Sequence, residues 1–406
     1  MIVRTLRNEL INHPASGRAA ASIGSTPRPI YLDHQATTPV DPRVAAVVWE
    51  TMTTQFGNAN SVDHLYGEEA AHLLADARSA VAGLVGAAPE HVRFTSGATE
   101  GIRLALQTAV RKADGRPLRV ACSPAEHRAV LDVLHSLETE GKARVTWLPV
   151  DGLGCVSLDK IAQACGGGID LVCLMAANNE VGTLYPVQAA TSLARDAGCE
   201  ILVDATQAAS RVFLDVDGWG IDYLVLSAHK IYGPMGIGAL VGPDATGPLA
   251  DQVAGHAGTP NVPGAVGFGE ACRIAKEEGG ESEVRICALR DRLEAALLDR
   301  IPGLVVNGDR DRRLTHNLHV SAPGAPNDAV VARLRATVAL ATGAACTSGA
   351  QEPSHVLRAM GLPLSLQDSA LRISPGRFNT IEEIDTAADA IAKAVASVRA
   401  AVGEYA

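Results

Sequence analysis

Lys230 stands where a lysine can do chemistry. It follows the apolar run 223–226 and precedes Gly233-Pro234, within Ser227-Ala228-His229-Lys230-Ile231-Tyr232. The chain uses few lysines and meets most of its need for cations with arginine. A lysine at the mouth of a buried strand is partly desolvated, sheds its proton readily and becomes a Schiff-base nucleophile, a role closed to arginine. Four other polar groups close apolar runs in the same way. Ser96-Gly97-Ala98-Thr99 follows 92–95, Glu126-His127 follows 118–122, Asn178-Asn179-Glu180 follows 170–175, and Asp204-Ala205-Thr206-Gln207 follows 201–203. Each alone has a bland explanation: a βα turn at 96–99, a partly buried helix histidine, a turn asparagine, an aspartate helix cap. Together they put a phosphate cradle, an imidazole, an amide, a carboxylate and an amine at five strand ends.

That set describes a site for pyridoxal 5'-phosphate. Lys230 would hold the cofactor carbonyl and later move protons at the substrate α-carbon. Asp204 would pair with the pyridinium nitrogen and keep the ring an electron sink. His127 would lie against the ring face and take part in proton transfer, while Asn179 and Gln207 are placed for the ring oxygen. Ala98 and Thr99, at a helix start, offer N–H groups and a hydroxyl to the phosphate, and Ser227 and His229 complete the cradle.

The elements that must position these groups can be read from hydrophobic periodicity. Between residues 92 and 241, short apolar runs at 92–95, 118–122, 144–150, 170–175, 201–203, 223–226 and 238–241 alternate with helix-patterned stretches such as 99–111, 126–138 and 187–197. Nearly uninterrupted apolar strands in a βα alternation predict an α/β fold with a mainly parallel seven-stranded sheet covered on both faces. Ligands bind such sheets beyond the carboxyl ends of the strands. A helix over 281–298, separated by Gly279-Gly280 from a shorter one near 272–278, leads to a smaller α+β region. There, apolar runs at 314–320, 338–340 and 370–374 mix with helices near 327–334, 354–360 and 381–402, the last opening on a Thr380/Glu383 capping box. The expected organisation is an N-terminal tail over 1–29, a large cofactor-binding domain over 30–275 and a small C-terminal domain over 276–406.

The chain has 406 residues, 47% hydrophobic and 20% charged, with a net charge of −10. Without a basic tract, direct nucleic-acid binding and docking on anionic membranes are disfavoured. No apolar run approaches a membrane span and no secretory signal is evident, so a cytoplasmic protein with reduced thiols is expected. The tail carries Arg4, Arg7, Arg18 and Arg28, faintly like a transit peptide but without a sustained amphipathic period. The eight cysteines, at 122, 155, 165, 173, 199, 272, 287 and 346, lack metal-ligand spacing, so no metal site is expected. Most lie in apolar segments. Cys346 does not: Gly343-Ala344-Ala345-Cys346-Thr347-Ser348-Gly349 is a small-residue stretch suited to an exposed loop.

On these residues the chain resembles the cysteine desulfurases of the fold-type I pyridoxal-phosphate family, in the branch typified by the nitrogenase and iron–sulfur-cluster enzymes. The resemblance is carried by the stretch 31–39, by Phe56-Gly57-Asn58 with His64 and Gly67, by 94–100, Glu126-His127, 178–180, 204–207, 227–234, Ala345-Cys346-Thr347-Ser348 and Leu371-Arg372-Ile373-Ser374. It implies that Cys346 attacks the sulfur of L-cysteine and carries it as a persulfide to an acceptor protein. It implies that Arg372 grips the substrate carboxylate, and that Thr259 reaches the cofactor phosphate of a second subunit in a homodimer. Asn58 is a further substrate-binding candidate, Asn317 a second-tier one, and Arg377 is expected to be structural. Iron–sulfur cluster assembly, tRNA thiolation and DNA phosphorothioation are all possible destinations for the sulfur.

The chain departs from the family pattern before Thr259, where the segment from Gly238 is several residues shorter and lacks a glycine- and arginine-rich stretch. It also departs at Gly101-Ile102-Arg103 and at Met235. Alternatives within the same chemistry are a selenocysteine lyase, a cysteine lyase releasing sulfide, or another small-amino-acid enzyme. Outside catalysis, the alternative is a cofactor-holding scaffold for a sulfur relay.

Overall fold

The computed structural model describes residues 28–254, 258–342 and 354–403. The seven runs form one sheet: β2 (Val92–Thr95), β3 (Leu118–Cys122), β4 (Ala143–Trp147), β5 (Leu171–Met175), β6 (Glu200–Asp204), β7 (Tyr223–Ser227) and β8 (Gly238–Val241), in spatial order β2-β8-β7-β6-β5-β3-β4. Neighbours from β4 to β7 run parallel, and β8 is antiparallel to both β7 and β2. The carboxyl ends of β2, β3, β5, β6 and β7 therefore share one rim. Every residue of β5 and β7 is buried, as expected for strands covered on both faces. Helices Ala98–Lys112 and Arg128–Thr139 cover one face through Ile102, Leu106, Leu131 and Leu134. On the other, Ile161, Ala190, Phe268 and Cys272 join the core.

The helix expected in two pieces around Gly279-Gly280 is a single one, Val262–Arg300, of 39 residues. Two interior glycines weaken a helix by about 1 kcal/mol each relative to alanine. Tertiary packing overrides that preference here. The helix lies along Leu65–Val85 so closely that a Cβ on Gly269 would stand 2.8 Å from Ala77 Cα, and farther along it meets a different segment, where a Cβ on Gly279 would stand 3.3 Å from Ser210 O. The expected boundary at 275/276 thus falls inside an unbroken helix.

Beyond it lies a separate apolar cluster. Leu289, Leu293 and Leu297 from the long helix pack with Leu318, Ile373, Ile384, Ile391 and Val395. A small sheet of β9 (Val305–Val306), β10 (Leu318–Ser321) and β12 (Ala370–Ile373) is backed by Ile381–Gly403. The capping box of that last helix forms as expected: Thr380 N donates to Glu383 at 3.1 Å and Glu383 N to Thr380 Oγ1 at 3.2 Å. Residues 30–32, expected with the large domain, belong here instead. β1 (Ile30–Tyr31) pairs in parallel with β11 (Val338–Ala339), and Leu32 is buried in the second cluster. The chain then runs from this smaller unit straight to the rim of the large sheet, which is how residues 33–38 come to border the site.

One glycine sets the spacing of the rim. A Cβ on Gly238 would lie 2.5 Å from Leu226 O and 2.7 Å from Gly97 Cα. Gly238→Ala is expected to lower unfolding free energy by about 1–3 kcal/mol through overpacking, read as a shifted denaturant midpoint at constant slope. An unchanged midpoint would show that the β2–β8–β7 corner is looser than this.

Candidate active site

The rim encloses a cavity of about 760 Å³ between the sheet and the smaller unit. Ala98, Thr99, His127, Asn179, Asp204, Gln207, Ser227, His229, Lys230 and Arg372 all line it. Two other described sequence candidates are not brought there. Asn58 is exposed, its side chain accepting from Asn60 N at 3.0 Å. Thr259 is exposed and outside the cavity lining. Cys346 lies outside the described residues.

Lys230 ends a 3₁₀ turn, Ala228–Lys230, that continues β7. Its Nζ donates to the main-chain carbonyls of Gln35, at 2.5 Å, and Ala36, at 2.8 Å. Burial first, then the positive charge of Arg372, lower the amine from its ordinary 10.5 to about 8, against the opposing pull of Asp33 and Asp204. The chain then turns sharply through Tyr232, a non-glycine residue at φ 67°. Such a conformation costs of order 1–3 kcal/mol and persists only where surroundings enforce it. Here Tyr232 N donates to Thr38 Oγ1 at 2.8 Å, Tyr232 O accepts from Asp41 N at 2.9 Å, and the hydroxyl accepts from Arg377 N at 2.6 Å. Arg377 also lies over the Tyr232 ring and pairs with Asp41, so its place is structural, as expected.

His127 serves a double purpose. It N-caps Arg128–Thr139, its Nδ1 accepting from Ala129 N at 3.1 Å. Burial holds the imidazole below its usual range, with Lys230 pushing the same way and Asp204 opposing. The neutral ring, with Nδ1 occupied as acceptor, carries its proton on Nε2. Asp204, at the end of β6, uses one oxygen to accept from Thr206 N at 2.9 Å. Its neighbour Glu126 is fully buried and pushed up to about 8 by burial, even though Met175 N donates to it at 2.7 Å. Near neutral pH it is uncharged and sets no second negative charge beside Asp204.

Arg372, on β12, donates to Asn179 O at 3.0 Å and to Asp33 Oδ1 at 2.8 Å. Its Nε is buried without a partner. Two further buried polar atoms without partners belong to cavity-lining residues, Asn179 Oδ1 and Thr206 Oγ1. Such atoms are costly unless a ligand or water satisfies them. The helix start at Ala98 has no side-chain cap, so its first N–H groups stay free.

The residue most undervalued by sequence reasoning is Gln35. It is fully buried. Its carbonyl accepts from Lys230 and from Gln207 Nε2 at 3.0 Å, its Oε1 accepts from Asn317 Nδ2 at 2.8 Å, and its N donates to Ser374 Oγ at 2.9 Å. The stretch 31–39 lacks a helix or strand period, and only its likeness to a family block marked it. Thr206 was passed over beside Asp204 and Gln207.

The chain belongs to the aminotransferase class-V family, whose model matches residues 30–386. Within that family its relatives include cysteine desulfurases. Cysteine desulfurase IscS of Anaeromyxobacter dehalogenans (strain 2CP-C) is 40% identical over 369 residues, covering 88% of this chain and 90% of that protein. Cysteine desulfurase IscS of Vibrio vulnificus (strain YJ016) is 42% identical over 381 residues, covering 91% and 94%. Among solved structures, a NifS-like protein matches with a TM-score of 0.81 and 32% identity, covering 91% of this chain and all of that one. SspA in complex with cysteine matches with a TM-score of 0.74 and 28% identity, covering 86% and 100%.

The residues present fit pyridoxal phosphate. An amine lowered to about 8 suits its carbonyl, Asp204 its ring nitrogen, and the uncapped helix start with Ser227 and Thr206 its phosphate. Because the free-base amine is the nucleophile, cofactor uptake by the apo-protein is expected to speed up as pH rises and to level off above about 8. Stopped-flow absorbance would follow it; a rate still climbing through pH 10 would show Lys230 to be an ordinary solvated lysine.

Proposed function

We propose that this rim removes sulfur from L-cysteine and leaves it on Cys346. The chain is a pyridoxal-phosphate-dependent cysteine desulfurase. The observation that carries the proposal is the convergence of Lys230, Asp204, His127 and Arg372 in one cavity. Bound there, the cofactor supplies a carbonyl for the amine and an electron sink for the substrate α-carbon.

The chain's own residues do the rest. Arg372 binds the substrate carboxylate through its spare donor capacity at Nε. Lys230 would take and return a proton at the substrate α-carbon, which an amine lowered to about 8 gives and takes readily at neutral pH. His127 presents Nε2–H to the cavity as a neutral donor. The thiolate of Cys346 attacks the substrate sulfur. The C–S bond breaks, its electron pair and a proton go to the substrate β-carbon, and an S–S bond forms. L-Cysteine plus a thiol thus becomes L-alanine plus a persulfide, with atoms and electrons balanced. The other cysteines suit this task poorly: burial raises the thiols of Cys122, Cys173 and Cys272 well above their usual range.

A second copy of the chain and a sulfur-acceptor protein complete the scheme. The exposed side chains of Trp49, Met52, Phe56, Val62, Leu65 and Tyr66 are concentrated in one stretch of chain, and Thr259 is free to reach a neighbour; both support a homodimer. The charge of −10 supports delivery through a protein rather than direct contact with nucleic acid, in the cytoplasm. Among the described residues no helix is long and apolar enough to cross a membrane, and no cluster of side chains could hold a metal ion.

Cys346→Ser is expected to abolish alanine formation from L-cysteine and persulfide labelling of the protein while the cofactor's visible absorbance persists. Alanine production at the wild-type rate would remove Cys346 from the reaction.

A further inference from the structure

The stretch that carries Cys346 joins two described points, Ala341 and Ser354, and they are tied to adjacent residues of the rim, the first to Asn179 through Arg372 and the second to Glu180. At the first, Ala341 and Arg372 exchange main-chain hydrogen bonds of 3.2 and 2.7 Å, and Arg372 in turn donates to Asn179 O at 3.0 Å. At the second, the Ser354 hydroxyl donates to Glu180 Oε2 and accepts from Leu357 N at 3.1 Å, capping the helix His355–Ala359. That helix is seated on strand ends as well. Val356, Leu357 and Met360 pack with Ala125 and Val181, and His355 Nε2 donates to Glu126 O at 2.9 Å.

A serine can cap a helix without an acid beside it. Glu180 is nevertheless buried, and burial pushes its carboxyl up to about 7 although Arg372 and Arg128 pull it down. Burying a carboxyl is unfavourable unless it is hydrogen-bonded, and here the Ser354 hydroxyl supplies that bond. Its main chain is equally committed: Glu180 N donates to Asn178 Oδ1 at 2.8 Å, and Glu180 O accepts from Asn317 Nδ2 at 2.7 Å. Asn317 holds Gln35, whose carbonyl holds Lys230. A continuous hydrogen-bonded path therefore links the Lys230 amine to the point where the Cys346 stretch ends.

We propose that Glu180 is a positioning residue for the sulfur-accepting step: its carboxyl, through Ser354, fixes the start of the helix His355–Ala359, to which the chain returns after Cys346. The inference rests on Cys346 being the acceptor. It assigns Glu180 no contact with substrate or cofactor.

The test uses holoenzyme of Glu180→Ala, Ser354→Ala and Glu180→Gln. Since a misplacement of about 1 Å at a reacting group costs roughly 100-fold, Glu180→Ala should lower kcat for alanine formation by about 10- to 100-fold. The cofactor absorbance and the KM for L-cysteine should change little. Glu180→Gln keeps an acceptor oxygen for the Ser354 hydroxyl and should restore most of the rate. If Glu180→Ala fails to fold, Ser354→Ala, which leaves the acid in place, must itself lower kcat with the cofactor spectrum intact. Wild-type kcat in Ser354→Ala or Glu180→Ala would overturn the proposal, as would a loss confined to KM or to cofactor content. Cys346→Ser run in parallel separates the two readings: if it alone abolishes alanine formation, the acceptor assignment stands and only the positioning role falls.

Discussion

An ammonium held by two peptide carbonyls is the interaction on which the rest of this structure depends. Lys230 Nζ rests on the carbonyls of Gln35 and Ala36, in a segment that arrives from the smaller unit. Neither carbonyl is charged, so the amine is bound without being locked in its protonated form. A carboxylate in the same place would raise the amine's affinity for its proton and quench it as a nucleophile. Asp33 and Asp204 act from farther off, and Arg372 offsets them. The site thus keeps a lysine both satisfied and reactive, and it does so with main-chain atoms that no side-chain substitution removes directly.

The neighbouring acids follow the same economy. Glu126 and Glu180 are buried hard enough that their carboxyls titrate near neutrality. They add little negative charge to a cavity whose purpose is to present Asp204 to a ring nitrogen and Arg372 to a carboxylate. The buried thiols are silenced by the same desolvation.

Much of this was legible in the sequence because strands covered on both faces have to be almost wholly apolar. The polar groups at 96–99, 127, 179, 204 and 230 then stand out as strand ends, and the fold gathers them around one cavity. Less legible were features decided by tertiary contact. Nothing local in 238–241 marks β8 as the antiparallel strand, and Gly279-Gly280 reads as a break although tertiary packing carries one helix through it, with Ser210 O beside Gly279. Gln35 has no period to betray it, since its role comes from five partners distant in sequence. Asn58 is marked by a family block, and within this chain its exposed side chain accepts from Asn60 N in a local turn.

The claim that Lys230 is the amine that holds the cofactor can be tested by reducing the holoenzyme with borohydride and mapping the labelled peptide. The account predicts a single pyridoxyl group on the peptide carrying Ser227-Ala228-His229-Lys230. A label on any other lysine, or a cofactor that washes away unreduced, would contradict it.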